Sequence, residues 1–202
     1  GGGGWGGGWG WGGYGAGLYT GMLAWGLGSS LYYGGWGYMP YYNPYYYYAY
    51  QTPGVTTQVV YDYSQPINTS AAAPEQTVAE PAVSTFDEAR DLFKNGDYAG
   101  ALSKADAAMK TLPNDSAIHQ FRGVNLFALK RYDEAAAALY GVLSVGPGWD
   151  WTTLIGLYPN IDVYTSQLRA LESFAQSNPN SASARFILGY LYPTSGQNDA
   201  AL

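Results

Sequence analysis

The side chains able to do chemistry are few and scattered. The chain has one histidine, His119, and no cysteine. Thiolate catalysis, disulfides and cysteine metal sites are therefore all absent. His119 has no nucleophile and orienting carboxylate at a spacing that would complete a catalytic set. It falls on the packing face of a helical stretch, where an imidazole serves structure. No Gly-x-x-x-x-Gly-Lys loop occurs, and the N-terminal glycines lack the strand before and the helix after that a dinucleotide loop needs. The residues predict no enzyme, no cofactor and no metal. The remaining chemistry is modification: Asn68-Thr69-Ser70 and Asn114-Asp115-Ser116 are Asn-x-Ser patterns, and Asn68 in the more exposed stretch is the candidate for glycosylation.

The elements that position these residues are helices. Val83 to Asn114 and Ala117 to Gly148 superimpose at an offset of 34 residues. The corner Gly96-Asp97-Tyr98-Ala99-Gly100-Ala101 recurs as Lys130-Arg131-Tyr132-Asp133-Glu134-Ala135, and Pro113 recurs as Pro147. In the first unit, helices are expected over residues 82–95 and 98–111. Phe86, Ala89 and Phe93, then Ala101, Ala105, Ala108 and Leu112, recur every three or four positions. In the second, Asp115 or Ser116 caps the entering helix, Gly123 marks a close crossing, Ala135 is the tight position, and Leu139, Val142 and Leu143 point inward. A third unit, from about Asp150 to Pro179, is expected to be distorted. Pro159 interrupts its first helix, Gln167 stands where a small residue is usual, and Pro147 and Pro179 are 32 apart. Leu188, Gly189, Tyr192, Gly196 and Ala201 fall where tetratricopeptide units, which this pattern resembles, carry Leu, Gly, Tyr, Gly and Ala; the resemblance implies a fourth unit in whose second helix the chain stops, which reads as a truncated array.

This pattern resembles the tetratricopeptide repeat family over residues 82–202. The resemblance implies an all-α superhelix of about three helix hairpins plus a partial fourth, whose first helices line a concave face that holds a peptide or partner protein. Carried onto this chain, the groove positions are Phe86, Arg90, Phe93, Lys94, Gln120, Val124 and Phe127. One subfamily clamps chaperone carboxylates with lysines and asparagines. Here Phe86, Arg90 and Val124 occupy the clamp positions and cannot form it.

The N-terminal part is a different material. No charge occurs from Gly1 to Tyr61, and 18 of the 28 glycines fall between Gly1 and Gly37. Trp5, Trp9, Trp11, Trp25 and Trp36, with Tyr45, Tyr46, Tyr47 and Tyr48, lie in this segment. Glycine supplies no apolar side chain, so residues 1–50 build no core of their own and form a Gly/Tyr/Trp arm. Its aromatic rings offer large contact area at low rotamer cost, suited to insertion into a neighbouring copy. Val55 to Tyr63, β-branched and aromatic, is expected to be a short β-strand within an extended segment and Ala/Pro linker over residues 51–81. Gly13 to Leu31 has the length of a membrane span, but glycine dilutes it and no Lys or Arg flanks it. A transmembrane helix is not expected.

A net charge of −6 with a pI near 4.5 opposes capture of nucleic acid. The chain opens at Gly1 without methionine, which reads as removal of an export signal. Together these features predict an exported bacterial structural subunit, extracellular or at the cell surface (periplasmic as second choice), that assembles with copies of itself into a filament or surface layer. The alternative is an exported tetratricopeptide adaptor that holds a peptide or protein in its groove.

Overall fold

The computed structural model describes residues 40–54, 58–72 and 74–196. Helices in chain order are α1 (Pro44–Tyr46), which runs into a π-helical turn over Tyr47–Gln51, then α2 (Gln76–Lys94), α3 (Tyr98–Thr111), α4 (Ser116–Ala128) and α5 (Tyr132–Leu143). α6 (Trp151–Ile155), α7 (Ile161–Ser177) and α8 (Ala182–Thr194) follow. The fold is all-helical over the described residues, with two antiparallel hairpins, α2/α3 and α4/α5, at its centre.

Both hairpins close through the same corner. In the first, Gly96 NH donates to Phe93 O and Asp97 NH to Leu92 O, each at 2.9 Å. In the second, Lys130 NH donates to Phe127 O and Arg131 NH to Leu126 O, again at 2.9 Å. This crossed pair of bonds satisfies the last carbonyls of a helix and needs a left-handed residue at the pivot. Gly96 takes it at φ +84° and Lys130 at φ +59°. Entering helices are capped by side chains: Asp97 accepts from Gly100 NH at 2.9 Å and Asp115 from Ala117 NH at 2.9 Å, while Asp150, Asn160 and Ser181 cap α6, α7 and α8. Asp115, rather than Ser116, is thus the cap of α4.

The apolar period read from the sequence is the core. Phe86, Ala89, Phe93, Ala101, Ala105, Ala108, Leu112, Ala135, Leu139 and Val142 are all buried, whereas Leu143 is only partly so. A Cβ placed on Gly123 would meet Leu139 Cδ2 at 2.8 Å, so the crossing of α4 and α5 is as close as a missing side chain allows. α2 begins at Gln76, earlier than expected, and carries Pro81 inside it. The extra turns are held because Ala79 and Ala82 are buried.

The array loses regularity where Pro159 predicts it. α6 has five residues, and α8 rather than α6 is the main helical neighbour of α5 on that side. The expectation of a strand is corrected: among the described residues there is none, and residues 58–63 are irregular. A helical array offers no sheet edge to pair with; Val59 and Val60 are exposed, and the aromatic Tyr63 is used as a plug instead. Tyr63 and Ile67 are buried, and a Cβ on Gly141 would lie 2.9 Å from Tyr63 Cδ1, so Tyr63 sits in a notch on α5.

Candidate functional site

The seven groove positions separate into two groups. Phe86, Phe93, Gln120, Val124 and Phe127 are buried. Phe86 meets Phe121 edge-on at 5.2 Å between ring centroids, and Phe93 lies 5.6 Å from Phe121 and 5.1 Å from Tyr158. Tyr158 belongs to the connection between α6 and α7, so the chain folds its own irregular segment over the first helix. Gln120 Nε2 donates to the Tyr190 hydroxyl at 2.5 Å, which places α8 over the corresponding face of α4. Phe127 packs toward Tyr132, and Phe174 of α7 lies 4.8 Å from Tyr132.

Arg90 and Lys94 are brought together at the surface. With Asp87, Asp91, Gly156 and Leu157 they line a shallow cleft of about 240 Å³. Arg90 Nη1 pairs with Asp87 Oδ1 at 3.1 Å, so the cleft presents cations and carboxylates side by side.

The tyrosine segment is partly seated on the repeat body. Tyr45 stacks on Phe186 at 4.6 Å and meets Tyr140 edge-on at 5.7 Å. Asn43 is buried; its Nδ2 donates to Ala137 O at 2.9 Å and to Tyr63 O at 3.2 Å. Its Oδ1 accepts from Tyr45 NH at 3.1 Å, capping α1. Tyr46 packs on Tyr50 at 5.0 Å. Tyr47 and Tyr48 are each 50% exposed and Tyr42 is 71% exposed, so Tyr45, Tyr46 and Tyr50 anchor the segment while Tyr42, Tyr47 and Tyr48 present their rings. Trp5, Trp9, Trp11, Trp25, Trp36 and the Gly13 to Leu31 stretch lie outside the described residues. Asn68 is exposed in a turn whose backbone carbonyl accepts from Ala71 NH at 3.1 Å.

Beneath the tyrosine segment lies a buried polar cluster that helical periodicity does not signal. Arg122 is 1% exposed; its Nε donates to Asp106 Oδ1 at 2.8 Å and its guanidinium carbon lies 5.8 Å from the Tyr63 ring centroid. His119 Nε2 is 2.8 Å from Pro113 O, an acceptor only, so Nε2 carries the proton. Nδ1 then accepts from the Tyr63 hydroxyl at 2.9 Å. Burial holds the His119 pKa down to about 4, opposed by the Pro113 bond and reinforced by the Arg122 charge. Burial likewise pushes the Tyr63 phenol well up, so it stays a proton donor. His119 is therefore a neutral structural acceptor, and the sequence sign of the cluster is a histidine and an arginine three apart on one helix.

Among the described residues no group of three or more His, Asp or Glu is placed to hold a metal, and no helix is long and apolar enough to cross a membrane. No curated protein and no solved structure matches the chain. The family model described as tetratricopeptide repeat matches residues 86–148, which is most of the two regular hairpins. That match, laid over two hairpins that share one corner geometry, shows tetratricopeptide repeats over residues 86–148, and such repeats are a protein–protein interaction module.

Proposed function

We propose that the protein is a structural subunit that assembles with copies of itself outside the cell, as a filament or surface layer, with the repeat domain as its body and the N-terminal segment as the connecting arm. The observation that carries this reading is the seat of the tyrosine turn. Asn43 and Tyr45 fix residues 43–50 to α5 and α8, so the uncharged segment that precedes them starts from a defined place on the body. A second support is that Tyr158 and Tyr190 cover the groove aromatics and Gln120, which leaves little concave surface for a peptide. Contacts with other molecules then fall to the outer faces and the arm.

The test compares the full-length chain with one lacking residues 1–39, by sedimentation velocity and negative-stain electron microscopy. Ordered oligomers or filaments from the full-length chain, and single copies from the shortened one, are expected. Single copies from both would overturn the reading.

The adaptor reading keeps one observation in its favour, the Arg90 and Lys94 cleft beside Gly156 and Leu157. Under it, Arg90→Ala with Lys94→Ala abolishes capture of a peptide carrying a carboxylate and leaves the oligomeric state unchanged.

A further inference from the structure

A groove of about 520 Å³ runs between the end of α5, the turn that follows it, and the outer face of α8. Leu143, Trp149, Phe186, Gly189, Tyr190 and Pro193 line it, and none of its lining residues is charged. Phe186, Gly189, Tyr190 and Pro193 follow one another at helical spacing, so a single face of α8 forms one wall. Gly189 leaves the middle of that wall flat: a Cβ there would meet nothing within 4 Å.

Two observations say what this groove fits. The first is charge: a partner side chain bearing a charge would be stripped of water here with no counter-charge to meet it, which selects an uncharged occupant. Residues 1–39 carry no charge and five tryptophans, among glycines whose bare backbone can approach the flat wall closely. The second is continuity: Phe186 both lines the groove and takes the Tyr45 ring on its other contact, so the groove extends the surface that already accepts this chain's aromatic segment.

We propose that this groove receives the tryptophan-bearing segment, residues 1–39, of a second copy of the chain. The inference rests on the self-assembly reading and supplies its acceptor. One copy then offers an arm and a groove at different places, a heterologous contact that leaves an arm and a groove free at the two ends and so propagates.

Gly189→Arg is the discriminating substitution, because open space at the Cβ lets the side chain enter the groove without displacing the helix. The full-length protein, Gly189→Arg, Gly189→Ala and Pro193→Arg are compared by sedimentation velocity over a concentration series, with thermal melts to show that each is folded. Wild type and Gly189→Ala are expected to associate, and the two arginine variants to associate at least about tenfold more weakly, as an unpaired charge in an apolar contact requires. If wild type associates and folded arginine variants associate equally well, the groove is not the acceptor and this proposal falls, while self-assembly stands; residues 197–202 or the chain's own arm then become the occupant. If wild type sediments as a single copy, self-assembly itself falls and takes the second-copy assignment with it.

Discussion

The lone histidine is a proton-linked peg. Its folded pKa of about 4 lies below its ordinary value of 6.5, so between these values the unfolded chain binds the proton and the folded one resists it. The contribution to stability is complete above 6.5 and is lost as the pH falls from 6.5 toward 4, by on the order of 3 kcal/mol in full. Asp115, whose carboxyl burial raises, acts in the opposite sense at the acid end. Comparison with His119→Gln isolates the histidine: denaturant unfolding at pH 7 and pH 5 is expected to show a larger loss in wild type than in the variant. Equal losses would mean that His119 is protonated in the fold. Tyr63→Phe removes the hydroxyl donated to Nδ1 and is expected to cost about 1–3 kcal/mol, the desolvation of an unpaired acceptor. None of this was legible in the sequence beyond the structural role of His119. Tyr63 and His119 stand 56 positions apart, and no periodicity links an irregular segment to a helix face.

At the scale of helices, the corner repeated at Gly96 and Lys130 shows how far a pattern can be read. The 34-residue offset aligns these two positions, and both take the same left-handed pivot although only one is glycine. Lysine there carries a Cβ penalty that glycine lacks, partly offset by the greater freedom glycine brings to the unfolded chain. Lys130→Gly is expected to stabilise the fold by about 0.5–1 kcal/mol in denaturant unfolding; a loss of stability would show that the lysine stem contributes more than its backbone costs. The hairpins were legible because the apolar period, the cap expected at Asp115 or Ser116 and the repeated corner agree over residues 83–148. Pro159 announced the break after α5. The docking of α8 on α5 was not announced, because a repeat read one unit at a time assigns each helix to its sequence neighbour. The proposed groove positions lie on α2 and α4, and the covering of Phe93 by Tyr158 and of Gln120 by Tyr190 was not legible, because it depends on segments outside the two regular hairpins.

For the whole molecule, the tyrosine segment and the repeat body share one core. Removing residues 1–50 therefore takes away buried Asn43 and Ala49 and the Tyr45 stack, whereas removing residues 1–39 leaves them. The longer deletion is expected to be less stable than the shorter by at least about 2 kcal/mol, the burial of one large side chain with its hydrogen bonds. Equal melting temperatures would show that the seat contributes nothing to the fold. Composition separated two materials in this chain, but it could not place the seam, because tyrosine suits both a core and a contact surface. The bond from Asn43 to the carbonyl of Ala137 spans 94 residues, and this distance sets a timetable. The aromatic strap is synthesised first and has nowhere to sit until α5 has been made, so it is the earliest part of the domain to appear and the last to settle. In that interval its rings are free to find a neighbour before they find home.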